Sequence, residues 1–316
     1  MIKLLAMSHS PLLHINDPGA DVVQELEAAF EHVKQIVLEF NPDLIVTFSP
    51  DHYNGFFYDL MPPYCVGYEA LGVGDYDSQE GPLDVPTEIS EELAQFVLDN
   101  GIDIAISRRM ELDHGAVQPM EILYGDIAAK PVVPIYVNGL ARPFVPMGRV
   151  RKMGQAVGEF LRKRHENGEK ILLIASGGLS HDPPVPQWVT ATEEQRKLLL
   201  HGRNPTEEAR QARQERVIQT AQAFARGEAE IQDLNPTWDR QFMVDCASNE
   251  PERFDSYTAD EMDVQAGHSS HEVRSWVAAF SAMHAATGGF AVTYEYYRAI
   301  KEFIAGFGIM MAEEQA

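Results

Sequence analysis

The sequence predicts an α/β fold, largely one domain over residues 1–316, in which a central mixed or parallel sheet is flanked by helices and the site lies at strand carboxyl ends. Three observations carry this. Short unbroken apolar runs, such as residues 171–175, alternate with longer stretches of helical periodicity, the pattern of strand and crossover helix. The runs lack the in–out alternation of a half-exposed strand, so they suit strands buried on both faces. They also stop at turn-forming residues, as in Ser176-Gly177-Gly178, where glycine lets the backbone turn without a clash. In open α/β sheets, ligands bind beyond such strand ends.

Taken in order, residues 2–7 form a first apolar strand that runs into Ser8-His9-Ser10-Pro11. Asp17-Pro18 offers an N-cap followed by proline at the first helical position, and Val22, Leu26, Phe30, Val33, Val37 and Leu38 recur at helical spacing. Asn41-Pro42 stops that helix, and residues 44–48 are a second buried strand, ending in Ser49-Pro50-Asp51-His52. Residues 53–86 are rich in Gly, Pro, Tyr and Asp with little periodicity. They read as a long loop folded over a site, a length uncommon without a function. Residues 89–98 are helical, with Asn100-Gly101 as the stop, and 102–106 are a strand followed by Leu112-Asp113-His114-Gly115. Residues 131–137 give another strand and 147–164 another helix. Asn167-Gly168 ends that helix before the strand 171–175, beyond which stands His181.

After His181 the character changes. Pro183, Pro184 and Pro186 hold an extended segment, then 192–200 and 206–226 are strongly charged helical stretches, so the region around 185–265 reads as a helical, charged insertion. The second of these helices carries Glu207, Glu208, Arg210, Arg213, Glu215 and Arg216 and reads as a solvated face or oligomer contact, not as a site. Residues 236–260 are mixed and polar. Gly267-His268-Ser269-Ser270-His271-Glu272 opens a helix with Val273, Trp276, Val277, Phe280 and Met283 on its apolar face; Gly288-Gly289 ends it before an aromatic tail with Tyr294, Tyr296 and Tyr297.

The totals exclude several functions. A formal net charge of −23 argues against nucleic acid and anionic membrane surfaces, which need a positive face, and means that an anionic substrate must be met by locally placed Arg or Lys. Two cysteines, Cys65 and Cys246, make no disulfide framework and point to a reducing compartment. The amino-terminal apolar run is too short for a signal peptide, and no run approaches the roughly 20 residues that span a bilayer. A soluble cytoplasmic protein is expected.

Four strands are expected to end in a histidine within a few residues: His9, His52, His114 and His181. A lone loop histidine is usually a surface residue, but strand ends of a parallel sheet converge, so four such histidines should share a site. Histidine offers metal ligation and proton transfer at neutral pH. Both cysteines lie outside these stretches, which excludes a thiolate-rich zinc site. No Gly-rich phosphate loop and no Gly-x-Ser-x-Gly elbow occurs. A histidine site with a carboxylate fits best, and Glu272 is the candidate; Ser269-x-x-Glu272 is also a capping-box pattern, which would turn the same carboxylate back to a helix start.

Ser8-His9-Ser10-Pro11, Pro50-Asp51-His52, Leu112-Asp113-His114-Gly115, Ser176-Gly177-Gly178-Leu179-Ser180-His181 and His271-Glu272 occur in the order found in the LigB-like, or class III, extradiol ring-cleaving dioxygenases, which the chain resembles over nearly its whole length. The resemblance implies Fe(2+) held by His9, His52 and Glu272, two histidines and a carboxylate that leave open positions on the metal. It implies His181 as the proton acceptor for a catechol hydroxyl and His114 as the proton donor that assists ring opening. The partners it implies are a small catechol and O2, specifically a 2,3-dihydroxyphenyl alkanoate cleaved next to its hydroxyls, and it further implies a homo-oligomer. Two histidines in opposite protonation states predict a bell-shaped rate–pH profile, readable from steady-state rates across pH.

Other residues rank below these. His14 is expected at a helix entry, and His268 and His271 are candidates for contacting substrate or orienting Glu272. Asp51 and Asp113 are expected to fix their loops. Nothing in the sequence singles out Arg108, Arg109, Arg142 or Arg240 as the partner of a substrate carboxylate. Relatives that share the ligand set act on other catechols or aminophenols, a zinc-dependent hydrolase could use the same three ligands, and a non-catalytic binding module would have no need of the His114 and His181 pair.

Overall fold

The computed structural model describes residues 1–315. The first apolar run forms β1 (Ile2–Met7) and is followed by α1 (Ala20–Phe40), whose buried face is Val22, Leu26, Ala29, Val33, Val37 and Phe40. Asn41, in the left-handed region at φ 49°, closes that helix and turns the chain into β2 (Leu44–Ser49). The helix begins later than Asp17-Pro18 suggests, because Asp17 accepts from the Gly19 N–H at 2.8 Å and holds a turn outside it.

Residues 53–86 are not one loop. They contain β3 (Tyr64–Gly67), β4 (Ala70–Val73), a 3-10 turn at Asp75–Asp77 and β5 (Glu80–Pro82), strands too short for periodicity to reveal. Then come α2 (Thr87–Asp99), β6 (Ala105–Ser107), β7 (Met110–Leu112), α3 (His114–Tyr124), β8 (Val132–Val137), α4 (Met147–Glu166) and β9 (Ile171–Ser176). The region after His181 holds α5 (Glu193–His201), α6 (Glu207–Ala225), α7 (Pro236–Ala247) and α8 (Ala259–Ala266). A 3-10 turn at Ser270–Val273 leads into α9 (Arg274–Thr287). The aromatic tail is a long antiparallel hairpin of β10 (Phe290–Ile300) and β11 (Ala305–Glu314).

The main sheet runs β10-β11-β1-β9-β2-β8-β3-β6. Its centre, β1-β9-β2-β8, is parallel, while β11 pairs antiparallel to β1 and β3 antiparallel to β8. The sheet is therefore mixed, as expected. Successive strand residues face opposite layers, so Leu4, Val46 and Leu173 pack with α4 and α9, whereas Leu5, Ile45 and Leu172 pack with α1 and α3. Two apolar layers explain why these strands read as unbroken apolar runs.

α4 and α9 approach closely because Gly154 and Gly158 face the backbone of α9; a Cβ on either would lie 2.2 Å from the carbonyl oxygen of Ala278 or Ala282. Gly154→Ala is expected to destabilise the fold by about 1–3 kcal/mol through overpacking, seen as a lower urea midpoint at unchanged slope.

Candidate active site

β1, β9 and β2 lie side by side and parallel, so their carboxyl ends open on one edge, and just beyond them stand His9, His181 and His52. His114 arrives differently. It follows β7 in a separate three-stranded sheet, β5-β4-β7, and begins α3, so it does not sit at the end of a main-sheet strand as the sequence suggested. Glu272 comes from the 3-10 turn before α9. Of the eleven histidines, these four alone line a cavity of ≈ 340 Å³, together with Glu272.

Three of the four rings are in mutual contact. His52 and His114 stack with centroids 4.6 Å apart, and His9 stands edge-on to both at 5.2 and 5.4 Å. Gly115 permits this approach, since a Cβ there would meet Cε1 of His52 at 2.9 Å and of His9 at 3.1 Å. Each outer Nδ1 is held by its own partner: Ser176 Oγ for His9 at 2.9 Å, Asp113 Oδ2 for His52 at 3.1 Å, Asp75 Oδ2 for His114 at 2.6 Å and the Leu179 carbonyl for His181 at 2.9 Å. The Nε2 atoms of His52 and His181 each lie 3.0 Å from Glu272 Oε1, and that of His9 lies 3.5 Å from Oε2. His114 Nε2 is buried with no hydrogen-bond partner.

Glu272 does not cap its helix. No side-chain cap forms at Ser269, and Glu272 Oε2 instead accepts from the Gly178 N–H at 3.0 Å. Burial opposes its charge, yet the surrounding histidines, His181 foremost, hold its carboxyl well below the usual range. Burial, reinforced by His52 and His114, pushes His9 down to about 3 despite Glu272. For His52, burial is outweighed by the carboxylates of Asp113 and Glu272, which hold it well above the ordinary imidazole value. His181 is raised in the same way by Glu272.

Imidazole and carboxylate donors of this kind suit a first-row transition metal, and the buried anionic Glu272 is a charge that such a cation offsets. Ligand atoms of His9, His52 and His114 lie within 4.8 Å of one another, so distance alone offers His114 as a third nitrogen as well as Glu272 as a carboxylate. Asp75, Asp113 and His114 also cluster, but those oxygens already accept N–H groups from His52, His114 and Gly115 and orient the rings.

Asp51 and Asp113 fix loops, as expected. Asp51 accepts the N–H groups of Asn54, Gly55 and Phe56, and Asp113 accepts those of His52 and Gly115. His14 and His268 are exposed, and His268 sits against Asp182. His271 turns away from the cavity to Asp263 at 2.7 Å and the Phe144 ring. One expectation is corrected outright: α6 is not merely a solvated face, because Ala209, Ala212, Arg213, Arg216 and Val217 line the cavity. Sequence reasoning also missed Asp75, Tyr76 and Asn54. Turn composition at Gly74-Asp75-Tyr76-Asp77 marks a bend, but no spacing links it to His114.

The model of the family described as the catalytic LigB subunit of aromatic ring-opening dioxygenase matches residues 3–308, and the chain belongs to that family. More particularly, it is 62% identical over 309 residues to the 2,3-dihydroxyphenylpropionate/2,3-dihydroxicinnamic acid 1,2-dioxygenase of Rhodococcus globerulus, covering 98% of this chain and 97% of that protein. It is 60% identical to the protein of the same name from Rhodococcus rhodochrous, with the same coverages, and 46% identical to one from Dechloromonas aromatica, covering 99% of each. The fold is shared with the crystal structure of an uncharacterized protein from Escherichia coli K12, at a TM-score of 0.51 and 14% identity over 98% of this chain and 99% of that one. A ring-opening dioxygenase implies a metal cofactor, and the histidine cluster could bind one. Among the described residues no helix is long and apolar enough to cross a membrane.

Proposed function

We propose that the protein is an Fe(2+)-dependent extradiol dioxygenase that cleaves 3-(2,3-dihydroxyphenyl)propionate, and 2,3-dihydroxycinnamate, next to the hydroxyls. Both atoms of O2 enter the ring-opened 2-hydroxy-6-oxo-dienedioate. The observation that carries this reading is the meeting of four histidines and Glu272 around one small cavity in a chain of this family.

His9, His52 and Glu272 would hold the iron. Glu272 is preferred to His114 as third ligand because it is buried and anionic, and a cation beside it offsets the cost of burying that charge. When bound, Fe(2+) supplies chelation of two vicinal catechol oxygens and activation of dioxygen. The rest is proton management by the chain. His181 Nε2, with Nδ1 donating to the Leu179 carbonyl, takes the proton that the catechol loses. His114 donates at Nε2 when the ring opens; the Asp75 carboxylate, 2.6 Å from Nδ1, holds the ring so that this nitrogen faces the cavity. Apolar walls from Leu12, Phe57, Leu199, Val217 and Phe303 seat the aromatic ring and limit water.

Asp75→Asn is expected to lower kcat by about 10–100-fold with metal content unchanged, since the amide keeps the shape but weakens the bond to Nδ1 that orients His114. Oxygen-uptake rates beside metal analysis would show it. The reading as a whole is tested by anaerobic reconstitution with ferrous ion, addition of 3-(2,3-dihydroxyphenyl)propionate and admission of oxygen. A yellow ring-opened dienoate with stoichiometric oxygen uptake is expected. Activity restored by zinc and indifferent to oxygen would overturn it. Homo-oligomeric assembly and a cytoplasmic location belong to the same proposal and are open to light scattering and cell fractionation.

A further inference from the structure

We infer that Arg213 and Arg216 form the pole of the cavity that binds the substrate's side-chain carboxylate, and so select acidic catechols over neutral ones. This rests on the dihydroxyphenyl acid reading above and assigns it residues. Such substrates are anions, whereas the chain carries a net charge of −23, so its overall field opposes their entry and a local cation has to offset it.

Arg213 and Arg216 are the arginines that line the cavity, and no lysine does so among the described residues. Both lie on α6 at a spacing of three, hence on one face. Arg213 donates to the Tyr53 carbonyl at 3.2 Å and to Asn54 Oδ1 at 2.5 Å. Both acceptors are neutral, so its charge is positioned without being neutralised. The guanidinium of Arg216 is exposed and has no polar partner among the described residues. Glu194 also lines the cavity but pairs with neither.

Arg213 stands one side chain out from the reacting end. Asn54, which receives its N–H, donates to Asp113 Oδ2 at 3.0 Å, the same oxygen that holds His52 Nδ1. Arg213 is also near enough to Tyr76 to act electrostatically on its hydroxyl, and the Tyr76 ring is edge-on to His114 at 5.2 Å. A ring seated at the histidines with a three-carbon acid side chain would direct its carboxylate toward α6. Other arginines are engaged elsewhere: Arg108 with Glu91, Arg142 with Asp260 and Asp263, and Arg240 over the Tyr297 ring. A planar guanidinium also matches a carboxylate through two parallel N–H donors, which lysine cannot copy.

The test compares kcat/KM for 3-(2,3-dihydroxyphenyl)propionate with that for 3-propylcatechol, which has the same chain length and no carboxylate. Wild type is expected to prefer the acid. In R213M/R216M that preference should fall by at least about tenfold, mainly through KM, as expected for a lost charged hydrogen bond, and R213K/R216K should recover part of it. A parallel fall for both substrates would assign Arg213 to holding the Tyr53–Asn54 loop and overturn the inference, as would an unchanged preference or a wild type with none. If R213M does not fold, R216M decides alone, because its side chain is bonded to nothing, and an unchanged preference there overturns the inference. Wild type that cleaves neither compound refutes the dioxygenase reading itself and removes the basis for this one.

Discussion

Glu272→Gln is expected to release the metal and abolish ring cleavage together. The amide preserves size and can still accept from the Gly178 N–H, which at present bonds Oε2 at 3.0 Å. What it loses is the charge. Glu272 is the carboxylate shared by His9, His52 and His181, and it is 1% exposed, so no water screens its removal. Turnover should fall by more than about 100-fold, beyond the range of an outer partner of a ligand, with metal content per subunit falling in step. Metal analysis of the purified variant, beside its oxygen uptake, checks both. Full metal content in the glutamine variant would transfer the third ligand position to His114, which distance also permits.

His114→Ala and His181→Ala are expected to do the opposite, cutting turnover by about 10²–10⁴-fold while the metal stays bound. The two rings are held from outside by Asp75 and by the Leu179 carbonyl, so each presents its Nε2 to the cavity in a fixed orientation. On the roles proposed for them, their loss removes a proton donor and a proton acceptor but leaves His9, His52 and Glu272 in place. Loss of metal from either variant would make that histidine a ligand and remove it from acid–base work. The same pair of assays therefore sorts all five residues into two groups.

Much of the site was legible because its residues fall at strand ends. His9, His52 and His181 each follow a buried parallel strand whose apolar run is visible in the sequence, and the convergence of parallel strands then places them together. Glu272 was ambiguous, since Ser269-x-x-Glu272 satisfies a capping pattern; the competing bond from the Gly178 N–H, supplied by a chain segment far away in sequence, decides it. α6 was misread for a related reason. Its charges look solvated when taken alone, and only the fold shows that one face is turned toward the cavity.

The sequence by itself determined the fold class, the central strands and the histidines that follow them, because burial on both faces and strand-end turns are local patterns, and it offered Glu272 without separating a ligand from a helix cap. Tertiary structure alone decided the partners that give those residues their chemistry. Asp75 reaches His114 from a 3-10 turn, Asp113 reaches His52 from the entry to α3, and Arg213 reaches the loop after His52 from α6. The hairpin of β10 and β11 joined the sheet beside β1 in the same unannounced way. The physical reason is common to all four. A hydrogen bond or ion pair between distant segments leaves no periodicity in the chain, and its energy depends on distances that exist only once the sheet has brought its ends together.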